Sequence, residues 1–282
     1  MGLVIFTDLD GTLLDGAYSF QAALPALTRL RQASAPCVIC SSKTAREIEY
    51  YRDKLHNRDP FSCENGGAVL VPRGYFGSPA GAGAGTGACK GKKAGYDIIR
   101  LGTPYARLRE ALVALREKGH VITGFGDMSA DEVAALTGLP PGQAAMAKER
   151  EFDEPFIFEG GEAELAEISG AAREMGLAVS QGPLLSHLRG GNDKGKAVAV
   201  IADLFKRAFC AGVTFAALGD SAGDLPMLEA ADVPVIVQRP DGTYDRRLQG
   251  RGFVEAGGIG PAGWNEAVLR LLEKGFAEKA GA

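Results

Sequence analysis

Short apolar runs alternate with stretches of helical periodicity at both ends of the chain, and this pattern limits the fold more than any other feature. Residues 3–7 read as a strand, and 19–32 as a helix with Phe20, Ala23, Leu24, Leu27 and Leu30 near a 3.6-residue period. Residues 36–40 read as a strand and 44–55 as a helix, and "FSCENGGAVLV" (61–71) as two short strands about a turn. The pattern returns with a helix at 194–209, strands at 213–220, 234–238 and 252–256, and a closing helix at 263–279. Strands separated by helices pair in parallel and are covered on both faces. The expected class is therefore α/β, a doubly wound parallel sheet with a Rossmann-like core.

The middle of the chain differs. "GSPAGAGAGTGACKGKKAG" (77–95) is low in complexity and reads as a mobile loop or linker. It is not a nucleotide loop, because no clean strand feeds it and neither glycine-rich phosphate signature fits. Beyond it come a strand at 96–101, a helix at 104–118 capped by Thr103, and a strand at 121–126. Ser129 and Glu132 form a capping box, and a strand at 155–160, a helix at 162–175 and a strand pair at 177–183 and 184–190 follow. Residues 88–185 are expected to form an inserted α+β unit, with 1–87 and 186–282 as the core. The insertion is expected to open and close on linkers near 77–95 and 184–192.

A net charge of −4 argues against a nucleic-acid groove, which needs a basic footprint. No apolar run approaches the ~18 residues of a membrane span, and the first apolar run is too short for a signal peptide, so the expected location is the cytoplasm. Cys37 and Cys40 form a C-x-x-C, but both lie inside the apolar run "PCVIC" and read as buried strand residues rather than a redox or zinc pair.

Chemistry gathers at strand ends. "VIFTDLDGTLLD" delivers Asp8 and Asp10, the next strand Ser41, Ser42 and Lys43, and a late strand Asp220, Ser221 and Asp224, while "GGNDKGK" places Lys194 and Lys196 before a helix. Ligands of parallel sheets bind beyond these carboxyl ends. Acids converging there repel unless a cation sits among them, and hard oxygen ligands with phosphate chemistry favour Mg²⁺. Asp8 can attack phosphorus, and Asp10 can serve as general acid and then base. Gly11 permits the turn and Thr12 can bond the loop. "GGNDKGKA" also approaches a P-loop, but Ala197 stands where the metal-binding hydroxyl is needed, so an ATPase is the weaker alternative.

"DLDGT", the serine after the second strand, the lysine opening a late helix and "GDSAGD" resemble the four motifs of haloacid-dehalogenase-type phosphatases. The resemblance implies Asp8 as nucleophile, Asp10 as acid/base, Ser41 as phosphoryl ligand and Lys194 as the neutralising cation. It implies Mg²⁺ on Asp8, the Asp10 carbonyl and Asp220, with Asp224 in support. An insertion between Ser41 and Lys194 resembles the α+β cap of the Cof-type branch, which closes over the site and supplies most substrate contacts. That branch often carries Thr-Gly-Arg where this chain has "SSK". With "CENGGAV", "REFDEPF", "HLRGGNDKGKAV" and "ALGDSAGDLPML", the departure is similar to mannosyl-3-phosphoglycerate phosphatases. The implied reaction is hydrolysis of 2-O-mannosyl-3-phosphoglycerate to mannosylglycerate, a compatible solute.

On such a substrate Lys43, Arg150, His187 and Arg189 are expected on the carboxylate, and Thr12 and Ser42 are also expected among the substrate-binding residues. Glu64, Asn65 and Glu151 are expected on sugar hydroxyls. The partner is a small phosphorylated glycosyl glycerate or sugar phosphate, with no nucleic acid and no membrane. Other sugar phosphates, including glucosyl-3-phosphoglycerate and sucrose 6-phosphate, remain open, as do phosphomutase activity and binding without catalysis.

Overall fold

The computed structural model describes residues 2–77, 89–93, 95–182, 184–209 and 212–280. Strand β1 (Gly2–Thr7) is apolar on both faces and lies inside a nine-stranded sheet. The other strands are β2 (Cys37–Cys40), β3 (Phe61–Cys63), β4 (Ala68–Pro72), β5 (Cys89–Lys93), β6 (Tyr96–Arg100), β7 (Ile122–Gly124), β8 (Asp153–Phe158), β9 (Ala178–Gln181), β10 (Ser186–Arg189), β11 (Val213–Gly219), β12 (Val233–Gln238) and β13 (Val254–Ile259). The α-helices are α1 (Leu24–Gln32), α2 (Ala45–Lys54), α3 (Tyr105–Glu117), α4 (Ala130–Thr137), α5 (Pro141–Ala147), α6 (Glu162–Glu174), α7 (Lys194–Ala208), α8 (Leu225–Glu229) and α9 (Gly260–Ala280). No helix among the described residues is long and apolar enough to cross a membrane.

The large sheet runs β13-β12-β11-β1-β2-β3-β4-β6-β5, and the pairs from β13 to β3 are parallel. The chain leaves β1 toward β2 on one side and returns as β11 on the other, so β1 sits at a switch point where loops diverge. Ile5 packs with Leu27 and Leu30 of α1 and Trp264 and Val268 of α9. Val4 and Phe6 face the opposite layer, with Ile201 and Phe205 of α7 and Leu228 of α8. Cys37 and Cys40, three apart on β2, fall in opposite layers, each thiol buried and free. Burial pushes Cys40 up to about 12, the opposite of a reactive thiol.

A four-stranded antiparallel sheet, β7-β8-β10-β9, forms the second layer system. Leu108, Leu112 and Leu115 of α3 and Ile168 and Ala172 of α6 cover the face that carries Phe156 and Leu188.

Sheet membership moves both expected boundaries of the insertion. β5 and β6 pair antiparallel next to β4 in the large sheet, so the chain crosses to the small sheet after Arg100 rather than at 88. β10 pairs with β8, so residues 186–189 leave the expected core segment. β5 was hidden because "CKGKK" has neither alternation nor apolar bulk, a composition that edge strands tolerate. Its residues belonged to the segment read as a loop, and 78–88 of that segment lie outside the described residues. β8 opens two residues before the apolar run, on Asp153 and Glu154, whose carboxylates have internal partners in His187 and Arg109. Helix α5 was missed because Pro-Pro-Gly reads as a turn, although proline is tolerated in a first helical turn. Pro104, not Thr103, precedes the first residue of α3, whereas the expected capping box Ser129–Glu132 forms, and the structure adds one at Thr44–Glu47.

One turn joins the two layer systems. Glu64, Asn65 and Gly66 have φ of 50°, 53° and 81° in succession. A Cβ on Gly66 would lie 2.0 Å from the Asp193 carbonyl oxygen, which is backbone and cannot swing away. Gly66→Ala combines a left-handed penalty with this overlap and is expected to cost about 2–5 kcal/mol, read as a lowered thermal midpoint. A loss below about 0.5 kcal/mol, the range of neutral surface changes, would show that the turn relaxes freely.

Candidate active site

Asp8 leaves β1 with its N–H donated to the Leu218 carbonyl at 3.1 Å, which fixes its height against β11. Below it, the Trp264 indole N–H donates to Thr7 Oγ1 at 2.9 Å, and that hydroxyl donates to the Asp8 carbonyl at 2.7 Å. Neither Thr7 nor Trp264 stood out in sequence, since the contact spans almost the whole chain.

Lys194 opens α7 at the position after the capping residue Asp193. Its Nζ is 2.8 Å from Asp8 Oδ1 and 2.6 Å from Asp224 Oδ1, and all three residues are buried. The second Asp224 oxygen accepts from the N–H of Asp220 and Ser221 and from Ser221 Oγ, at 3.0–3.1 Å. Asp224 thus holds both the lysine and the loop. Thr12 Oγ1 donates to Asp220 Oδ1 at 3.2 Å. Gly11, at φ 76°, lets that loop approach: a Cβ there would sit 2.6 Å from Asp220 Oδ2.

Burial raises the Asp8 carboxyl to about 7, against the lowering pull of Lys194, with Asp224 and Asp10 adding to the rise. Burial, then Asp224 and Asp8, raise Asp220 to about 8. Lys194 is driven upward by the two carboxylates despite its burial. One lysine facing three acids leaves excess negative charge, the condition under which a cation is held. Carboxylate oxygens of Asp8, Asp220 and Asp224 lie within 4.8 Å of one another, so the donor set fits a hard divalent ion such as Mg²⁺.

The Asp10 carboxylate turns elsewhere. Its Oδ2 is 3.0 Å from Lys43 Nζ, while Oδ1 is buried without a partner among the described residues. Lys43 is buried, 3.6 Å from Glu47, with its ammonium 5.1 Å from the centre of the Tyr18 ring. Expected on the substrate, Lys43 instead braces Asp10. Ser41 is buried at the end of β2, and its Oγ accepts from the Lys43 N–H at 3.3 Å.

The remaining expected substrate residues form a second group beside the first, and several are already occupied. Thr12 serves Asp220. Glu64 is buried and accepts from the Glu151 and Phe152 N–H groups at 2.8–3.0 Å, so it fastens the chain before β8 rather than facing a sugar. Burial raises its carboxyl to about 7, with Arg150 and the two N–H groups opposing. Asn65 donates to Asp153 Oδ2 at 2.8 Å. Arg150 donates to the carbonyls of Ala147 and Ser42, both at 2.8 Å, which spans from α5 to the loop after β2. Glu151 and Ser42 are half-buried at this joint. His187 Nδ1 is 2.9 Å from Asp153 Oδ1. Arg189 donates to the Asn192 carbonyl, and its buried Nε has no partner among the described residues.

Asn192 was also missed: its buried amide donates to the carbonyls of Glu64 and Asn65 at 3.3 and 3.2 Å. The Asn65 N–H donates to the Ser41 carbonyl at 3.0 Å and the Glu64 N–H to the Lys43 carbonyl at 2.9 Å, so the two groups share one backbone frame. Lys196, the lysine a P-loop would use, is 61% exposed at its side chain and bonds the Gly191 carbonyl, whereas Lys194 is the one among the acids.

A large parallel sheet with this insertion, and three strand-end acids about one buried lysine, defines a haloacid dehalogenase-like hydrolase. The sequence profile of that family matches residues 5–75. The chain is 43% identical over 273 residues to the glucosyl-3-phosphoglycerate/mannosyl-3-phosphoglycerate phosphatase of Methanococcoides burtonii, covering 96% of this chain and 97% of that one. It is 38% identical to the protein of the same name from Persephonella marina, over 96% and 98% of the two chains. It is 35% identical to the mannosyl-3-phosphoglycerate phosphatase of Pyrococcus horikoshii, over 83% and 90%. The chain belongs to the haloacid dehalogenase-like hydrolases, among their phosphatases. A solved phosphatase of this superfamily from Bacteroides thetaiotaomicron shares the fold at a TM-score of 0.67 with 18% identity, over 97% of this chain and 96% of that one. A subclass IIB sugar phosphatase of the superfamily does so at 0.64 with 15% identity, over 96% and 98%.

Proposed function

We propose that the protein hydrolyses the phosphomonoester of 2-O-mannosyl-3-phosphoglycerate, releasing phosphate and mannosylglycerate. The observation that carries the chemistry is the buried Lys194 between Asp8 and Asp224, with Asp10 turned aside onto Lys43. Relatives named for this substrate supply the sugar and the acid. A second reading, glucosyl-3-phosphoglycerate, is favoured by the double name of two of them.

In the first step an Asp8 oxygen bonds phosphorus as the bond to the glycerate oxygen breaks. Asp10 gives its proton to the departing alkoxide. In the second, Asp10 takes a proton from water as that water attacks phosphorus and Asp8 is freed. Lys194 fixes Asp8 Oδ1, which leaves Oδ2 for attack, and its charge offsets the phosphoryl oxygens. Ser41 bonds one of those oxygens, and Arg189, with its unpartnered Nε, serves the glycerate carboxylate. Asp8 and Asp220, with the loop that Asp224 braces, would hold Mg²⁺, which when bound would neutralise charge at the phosphoryl group.

The test is phosphate release from mannosyl- and glucosyl-3-phosphoglycerate, sucrose 6-phosphate and mannose phosphates, with Mg²⁺ or EDTA. Release only from the glycosyl phosphoglycerates, abolished by EDTA, is expected. Equal turnover of all four would reduce the reading to a general sugar phosphatase.

Cation binding should depend on pH with a definite sign. Asp8 and Asp220, raised to about 7 and about 8, hold protons at lower pH that a cation must expel. Mg²⁺ affinity is therefore expected to rise with pH from 6 to 8, by about tenfold or more per unit below 7, and then to level off. Calorimetric titration of the metal-free protein at pH 6, 7 and 8 checks this, and a flat profile would contradict the charge balance.

A further inference from the structure

A continuous hydrogen-bonded chain runs from the loop after β2 into the small sheet. The Ser41 carbonyl accepts from Asn65 N–H, Asn65 Nδ2 donates to Asp153 Oδ2 at 2.8 Å, and Asp153 Oδ1 lies 2.9 Å from His187 Nδ1. Asp153 is fully buried, and both of its oxygens are committed. A carboxylate only accepts, so Nδ1 carries the hydrogen, and Nε2 is left to bond elsewhere. Among the described residues Nε2 has no hydrogen-bond partner.

The pleat sets the direction. Leu188 points into the cluster under α3 and α6, so His187 and Arg189 lie on the other face of β10. Asp153 stands directly opposite Arg189 in the register and shares that face. Asn65 reaches Asp153 from the large sheet, so this face looks toward the strand ends that carry Asp8 and Ser41. In the reading above Lys194 and Ser41 serve the phosphate and Arg189 the carboxylate, which leaves the glycosyl hydroxyls, and a hydroxyl can either donate to or accept from Nε2. The sugar is the part of the substrate rich in hydroxyl donors.

We propose that Asp153, held by Asn65, is a positioning residue that fixes the His187 ring so that Nε2 hydrogen-bonds a hydroxyl of the glycosyl group. The proposal rests on the glycosyl phosphoglycerate reading above. It makes the small sheet a reader of the sugar and ties that reader, through Asn65, to the backbone of the Ser41 loop.

The comparison that isolates it is mannosyl-3-phosphoglycerate against 3-phosphoglycerate, which keeps the phosphate and the carboxylate and lacks the sugar. Asp153→Asn can no longer accept from both donors. It is expected to lower the ratio of the two kcat/KM values about tenfold, with the change mainly in KM for the glycosylated substrate. His187→Gln, at a partly exposed side chain, is expected to lower the same ratio and guards against a folding defect in the first variant. The chain has only three histidines, so nitrogen-15 spectra of the wild-type rings can be assigned, and His187 is expected to carry a hydrogen on Nδ1.

A wild-type enzyme that turns over no glycosyl phosphoglycerate overturns the substrate reading. An active wild type whose ratio is unchanged in both variants, or whose His187 lacks a hydrogen on Nδ1, overturns the positioning role.

Discussion

Asp8→Asn is expected to lower phosphate release by about 10⁴-fold or more, in line with the loss of a covalent nucleophile elsewhere. The amide cannot form the acyl phosphate, whatever the neighbours do. The same change should leave the fold intact. Asp8 is a buried acid raised by desolvation and by its repulsion from Asp224 and Asp10, so its charge is held at a cost in the metal-free protein. Lys194 keeps its 2.6 Å contact with Asp224 when Asp8 becomes neutral. The thermal midpoint without metal should therefore be equal to or above that of the wild type. Phosphate release and thermal unfolding on the same preparation check both halves. Wild-type turnover in the variant would remove Asp8 from the mechanism, and collapse of the fold would show that the acid is structural.

Lys194→Met should harm both activity and stability. The lysine is the cation between two buried carboxylates, and its removal leaves like charges facing one another in a dry site. Breaking a buried pair from one side costs about 3–5 kcal/mol, softened here because Asp8 already protonates near neutral pH. Activity should fall about 10²–10³-fold, since the phosphoryl oxygens lose a preorganised charge. Lys196→Ala, two residues on, is the control: its side chain is mostly exposed, and a change within about 0.5 kcal/mol is expected with little loss of turnover. Reversed effects would revive the nucleotide-loop interpretation of "GGNDKGKA". Denaturant unfolding and steady-state kinetics on the two variants decide between them.

The candidate catalytic group was legible because its residues stand at strand ends, and strand ends are visible as apolar runs that stop. Asp8, Ser41, Asp220 and Asp224 each follow such a run, and Lys194 opens a helix with a clear apolar face. The substrate side was less legible. Glu64 and Asn65 have the right chemistry for sugar hydroxyls and Thr12 for a substrate contact, yet the structure commits them to backbone amides, to Asp153 and to Asp220. Sequence shows what a side chain can bond and not whether a neighbour has already taken it. Asp153 was passed over because it precedes the apolar part of β8, and Trp264 because its partner Thr7 lies 257 residues away.

The sequence by itself determined the βα alternation, the interruption by a second α+β unit and the set of acids with one lysine. These follow from local periodicity and from residue chemistry repeated at strand ends. The tertiary structure alone decided where the insertion begins and ends, that Lys43 faces Asp10, and that Asp153 joins Asn65 to His187. Those depend on strand pairing and on contacts between residues about 30 to 90 positions apart, which no local pattern encodes.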